Sequence, residues 1–281
     1  MPRVSGSALA LLRACAYPFR DDLAPLPPEA VSRASVVGSA SHATIAAALG
    51  HAAGEPFALS DDERATADAC AARALEWLAT LPGRHEAEVA YAWDVRARKA
   101  RRLVQRHARD YSDVDRSHEI PCTLDVVSKG AIPTVLDWKT GRASHVEPSR
   151  DNAQLLLGAL CLASETGAER VEVGLVFLGD GSEPARASLA TVDALDLDAF
   201  ASELERLFRS IPTAEPTPGA HCTERYCRRL GQCDATRSAL LAVAAPEVPQ
   251  AWPVAVDARD IQSAAHAAWL LETARLAEAV S

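Results

Sequence analysis

Asp137 and Lys139 stand two residues apart in Val135-Leu136-Asp137-Trp138-Lys139-Thr140-Gly141. Side chains alternate faces along a strand, so this acid and this base point the same way. Twelve residues earlier, Asp125 lies in Ile120-Pro121-Cys122-Thr123-Leu124-Asp125-Val126-Val127. Between the two stretches, Ser128-Lys129-Gly130-Ala131-Ile132-Pro133 reads as a turn. Folding back there sets Asp125 roughly opposite Asp137, with two carboxylates and one ammonium on one face. Hard oxygen donors suit Mg²⁺ or Mn²⁺, and such an ion activates water against a phosphate ester. An Asp-x-Lys triplet alone is common. Here both acids sit in apolar strand sequence, where a carboxylate is costly unless something offsets it, and a bound cation does so.

Two further groups of residues could carry chemistry. Cys222, Cys227 and Cys233 fall within one 12-residue stretch after a Pro/Gly connector, with Cys15 far upstream. Three close thiols are zinc ligands, with His221 as a fourth donor, or they hold an iron–sulfur cluster with the distant Cys, or they are incidental. Cys70, Cys122 and Cys161 read as buried apolar residues. Seven cysteines spread over 281 residues make a poor disulfide framework and a better set of thiols in a reducing compartment. The third group is basic: Arg96, Arg98, Lys99, Arg101, Arg102, Arg106 and Arg109 lie within Val95 to Arg109. They read as a solvated helix face or as a path that tracks phosphates.

The elements that must position these residues follow from periodicity and caps. Ser5 to Cys15 reads as a short helix, and Gly38 to Leu49 as a second with His42 near its start. Ser60-Asp61-Asp62-Glu63 is a capping box opening a helix to about Leu81, where Pro82-Gly83 stops it. Glu86 to Trp93 alternates as a strand, and Arg96 to Arg109 reads as helical or irregular. After the Asp125 and Asp137 strands, Ser149 caps a helix through Gln154 that ends at Gly167. Val171 to Leu178 is an apolar strand buried on both faces. Arg186 to Val192 is a last strand, and Leu195 to Ser210 a helix. A stiff connector, the cysteine segment, a second Pro-spaced linker and an Ala-rich helix follow. Helices, three strands, helix and two strands make one α/β core with helices on both faces.

Composition is that of an ordinary globular chain, with 48% apolar and 24% charged residues. The net charge of −9 speaks against nucleic acid, although a local basic path answers the objection. No apolar run approaches the ~20 residues that span a bilayer. Arg13 and Arg20-Asp21-Asp22 interrupt the apolar start, so the reading is a cytoplasmic chain rather than a secreted one. No phosphate-binding Gly-x-x-x-x-Gly-Lys-Ser/Thr loop is present, so any unwinding falls to a partner.

The chain resembles the RecB-like branch of the PD-(D/E)XK nuclease superfamily. Gly38-Ser39-Ala40-Ser41-His42 is similar to that family's Gly-x-x-x-His segment, whose histidine binds metal. Asp125 stands at the Gly-x-x-Asp acid, with Cys122 in place of the glycine. Asp137 and Lys139 match the acid-x-Lys strand, and Gln154, fifteen residues on, the helix glutamine. The resemblance implies a central mixed β-sheet flanked by helices and a metal-dependent nuclease. It implies an exonuclease acting on single-stranded or frayed DNA; the alternative is a nuclease-like module that binds nucleic acid or a partner and cuts nothing. It gives Asp125, Asp137, Lys139 and Gln154 catalytic roles. His42, Asp125, Asp137 and the Trp138 carbonyl become the ligands of Mg²⁺ or Mn²⁺. Arg96, Arg98, Lys99, Arg101, Arg102 and Arg106 become the nucleic-acid path.

A subset of such nucleases, the AddB-type and CRISPR-adaptation exonucleases, joins one N-terminal and three C-terminal cysteines through a 4Fe–4S cluster. Val4 to Phe19 resembles their N-terminal segment, which implies Cys15, Cys222, Cys227 and Cys233 as cluster ligands, with Zn²⁺ as the alternative. The four residues between Cys222 and Cys227 are more than that subset usually has. The implied organisation is a nuclease domain over 1–240, with a core at about 38–192 and the cysteine segment at 221–233. A linker and helix occupy 241–281. The implied partners are DNA and a helicase or another repair or defence protein, with no membrane.

Overall fold

The computed structural model describes residues 4–26, 32–51, 57–104, 110–141, 147–224 and 227–236. It divides into one unit of Met1–Ala10 with Pro27–Ser210 and a second of Leu11–Leu26 with Ile211–Ser281. Arg106, Arg109, the Pro-spaced linker from Ala245 and the Ala-rich tail lie outside the described residues.

The first unit is built on a six-stranded sheet. Its strands are β1 (Arg84–Asp94), β2 (Lys99–Arg102), β3 (Glu119–Lys129), β4 (Thr134–Thr140), β5 (Arg170–Gly179) and β6 (Arg186–Asp193). They lie side by side in the order β2-β1-β3-β4-β5-β6. Every neighbouring pair is antiparallel except β4 and β5. A parallel pair needs a crossover, and helix α4 (Ala153–Thr166) provides it. The mixed sheet flanked by helices is as expected. It holds one strand more, because Lys99–Arg102 is neither helical nor irregular but pairs with Tyr91–Asp94 of β1.

Short helix α1 (Leu9–Ala14) comes first in the chain, and α2 (Arg33–Ala48), α3 (Asp61–Leu78) and α5 (Ala194–Ser210) complete the helices to Ser210. Ile45 of α2 and Cys70, Ala71, Ala74 and Leu78 of α3 pack with Val126, Leu136, Trp138, Val176 and Leu178 on one face of the sheet. Helix α4 covers the other face, where Gly158 comes against Leu124 and Val135. Leu136 and Val135 thus serve opposite layers, as strand alternation requires.

The Ser60 capping box forms as expected. Two helix starts differ from expectation. Helix α2 begins at Arg33, capped by Ser32, so His42 sits mid-helix rather than near the start. Helix α4 is capped by Asn152, whose side chain accepts from Gln154 and Leu155 N–H groups. Ser149 instead accepts the Leu175 N–H and donates to the Ser188 carbonyl, tying the crossover to β5 and β6.

Candidate functional site

Strands β3 and β4 pair at Val126↔Leu136, Val127↔Val135 and Ser128↔Thr134. The next rank in that register is Asp125 opposite Asp137, where the β3–β4 ladder ends and the two strands part. Asp125 Oδ2 accepts the Trp138 N–H at 2.9 Å, so the carboxylate closes the gap that the lost ladder bond opens. Both acids are buried, at 8% and 6% exposure.

A second irregularity meets this rank. Cys122 lies against Cys161 of α4, and Leu124 meets the same helix, whereas Val126 joins the layer under α2 and α3. The alternation of faces therefore breaks at Asp125. On the neighbouring strand, Ala87↔Val126 and Val89↔Leu124 bracket Glu88, which stands opposite Asp125 with a left-handed φ of 50°. A non-glycine residue there re-aims its side chain at the expense of backbone strain.

The result is a cluster. Donor atoms of His42, Glu88 and Asp125 lie within 4.8 Å of one another. His42 Nδ1 is 3.4 Å from Asp125 Oδ1. Helix α2 brings His42 there by close approach: a Cβ on Gly38, one turn earlier, would stand 2.8 Å from Thr140 Oγ1. Sequence reasoning missed Glu88. It falls on the polar positions of an alternating strand, two residues after Glu86, so the sequence pattern reads it as solvent-facing.

Asp137 faces Lys139 and Gln154. Lys139 Nζ is 2.7 Å from Asp137 Oδ2, and Gln154 Nε2 donates to Oδ1 at 2.9 Å. Burial, then the neighbouring Asp125, raises Asp137 to about pKa 6 against the pull of Lys139. Burial pushes Asp125 the same way, but His42, the Trp138 N–H and Lys139 outweigh it and hold Asp125 below the ordinary value. Burial opposes the charged forms of His42 and Lys139. Asp125 above all for His42, and Asp137 for Lys139, overcome it, and both groups are raised.

The donor set suits a divalent cation. Carboxylate oxygens with one imidazole are ligands of Mg²⁺ and Mn²⁺. Asp137 Oδ2 is buried and answered by the Lys139 ammonium 2.7 Å away, a charged oxygen that would also serve a divalent cation.

The basic stretch is occupied with internal acids. Arg98 reaches Asp198 at 2.9 Å and Glu205 at 3.4 Å. Arg101 forks onto Glu119 at 2.7 and 2.8 Å, and Arg102 holds Glu86 at 2.8 Å. Arg96 and Lys99 are exposed on the turn and the β2 start.

In the second unit, Cys15, Cys222, Cys227 and Cys233 line one cavity together with His221 and Arg229. All four thiols are free. Cys15, Cys222 and Cys233 are buried and Cys227 half-buried. Burial pushes the Cys227 thiol up, the Arg229 N–H pulls it down, and the Cys222, Cys15 and Cys233 sulfurs push it up again. Four convergent thiols fit a thiolate-bound metal centre.

The protein is similar to known chains in two ways. Residues 3–234 match the family model of the PD-(D/E)XK nuclease superfamily. Among solved structures, a presumed exonuclease from Eubacterium rectale is 12% identical, with a TM-score of 0.39 over 85% of this chain and 82% of its own. The protein SSO0001 is 14% identical, with a TM-score of 0.35 over 72% and 97%. No curated protein matches the chain. The family match spans most of the chain, from the first described residue to the last cysteine of the cavity, and by it the protein belongs to the PD-(D/E)XK nuclease superfamily.

Proposed function

We propose that this protein is a Mg²⁺- or Mn²⁺-dependent deoxyribonuclease, an exonuclease on single-stranded or frayed DNA. The observation that carries the reading is the cluster of His42, Glu88 and buried Asp125, with buried Asp137 at the same rank of the next strand holding the Lys139 ammonium. Asp125, Asp137, His42 and Glu88 would hold a divalent cation there, with the Trp138 carbonyl available as a further donor, and such an ion would supply Lewis acidity toward the phosphate and activate water at neutral pH. Lys139, turned toward Asp137, orients the attacking water and answers the negative charge that gathers on the phosphate. Gln154 fixes Asp137 Oδ1, which leaves Oδ2 for the reacting centre.

The same reading gives the four thiols a 4Fe–4S cluster, with Zn²⁺ as the alternative occupant, serving as structure because hydrolysis transfers no electron. It gives DNA as partner and a reducing, cytoplasmic setting. No described helix is long and apolar enough to cross a membrane. The test is digestion of end-labelled single-stranded DNA. The protein with Mn²⁺ shortens the strand, chelator stops it, and Asp137→Ala is inactive. Equal digestion by Asp137→Ala overturns the assignment, and a wild type that binds DNA without cutting it identifies a binding module.

A further inference from the structure

Among the described residues of the second unit, Arg229 is the buried charged residue, at 9% exposure. Its Nη2 donates to the Ala24 carbonyl at 2.7 Å and its Nε to the Pro18 carbonyl at 3.5 Å. A guanidinium has five N–H donors, and among the described residues only these two are answered. No carboxylate pairs with it in any ion pair among the described residues. A buried cation answered by carbonyl dipoles alone is costly. Yet the same residue lines the cavity of Cys15, Cys222, Cys227 and Cys233, and its backbone N–H, not its guanidinium, faces the Cys227 sulfur.

Four neutral thiols offer Arg229 no charge to answer. Four thiolates around Zn²⁺ or an iron–sulfur core leave a net negative charge, and in a buried cavity that charge needs a counter-ion. We infer that Arg229 is the internal counter-ion of a net-anionic metal–thiolate centre. It is a positioning residue as well, because the same fork ties the Pro18–Ala24 segment to the cysteine segment. The inference rests on the reading of the four thiols as a metal site and adds which residue balances that site's charge.

The test compares Arg229→Lys, which keeps the charge, with Arg229→Met and Arg229→Gln, which remove it. Each protein is loaded anaerobically with iron and sulfide, and separately with Zn²⁺ alone. Metal content and the rate of release to a chelator are measured. Arg229→Met and Arg229→Gln should release metal about tenfold faster, the size of effect typical of partners just outside a metal's ligands. Arg229→Lys should stay close to the wild type. In iron-loaded protein the reduction potential should fall when the charge is removed and hold in Arg229→Lys. A purely structural tie predicts that Lys fails as badly as Met and Gln, since all three lose the fork. Equal release by Lys, Met and Gln therefore overturns the inference, as does equal release by every variant and the wild type. Should Arg229→Met not fold, Lys against Gln decides. A wild type that takes up neither iron nor zinc removes the four-thiol reading itself, a different outcome from metal held equally by all variants.

Discussion

Two aspartates opposite each other at one rank are set to different protonation behaviour by their surroundings. Asp125 accepts a backbone N–H and sits by His42, which favours its charge; Asp137 carries the consequence of burial beside an existing anion and is raised to about 6. The folded chain therefore holds the Asp137 proton more tightly than the unfolded chain does. Its contribution to metal-free stability is full below the ordinary value of 3.8 and is lost as pH rises through about 6. Cation binding runs the other way, because metal and proton compete for the same oxygens. Mn²⁺ affinity, followed by titration calorimetry, should climb as pH rises through about 6 and go on climbing until His42, itself raised above its ordinary value, has also lost its proton. An affinity unchanged between pH 5 and 7 would contradict this account of Asp137. Glu88 makes a second prediction. Glu88→Gln keeps the size and the left-handed backbone but removes an anion from the His42–Asp125 cluster, and should weaken Mn²⁺ binding by about tenfold or more in the same titration.

The helices reach the site by close approach. A Cβ on Gly158, one turn after Gln154, would lie 2.7 Å from Leu124 Cδ2 and 2.9 Å from Val135 Cγ1. Gly158→Ala overpacks that contact, should destabilise the fold by about 1–3 kcal/mol in denaturant melts, and should lower cleavage by pushing Gln154 off Asp137. Gly38→Ala should be milder, since the Thr140 hydroxyl it meets can rotate away. The same elements show what one sequence can and cannot reveal. The hairpin of Asp125 and Asp137 was legible because apolar strands around a turn fix register. Strand β2 was not, because Lys99-Ala100-Arg101-Arg102 has no apolar alternation and is held by β1 pairing and ion pairs with distant acids. Ser149 and Asn152 are both good caps three residues apart, and only the packing of α4 decides between them. The role of Glu88 depends on a left-handed φ that no residue pattern announces.

Across the molecule, charge is arranged against a simple reading of the basic run. The chain carries a net −9, and Arg98, Arg101 and Arg102 neutralise acids of the fold itself. Arg101→Ala strips Glu119, whose side chain is 10% exposed, of its forked partner. It should cost about 1–3 kcal/mol of stability while changing DNA affinity little. A large loss of DNA affinity with unchanged stability would show instead that the pairs open to phosphate. The account as a whole depends on one shared cation between β1, α2, β3 and β4. Crystals soaked in Mn²⁺ and measured at the manganese absorption edge test it most directly. An anomalous peak within coordinating distance of Asp125 and Asp137, with His42 or Glu88 completing the set, is the predicted result. A peak elsewhere, or none at this rank in crystals that bind Mn²⁺ at other positions, would contradict it.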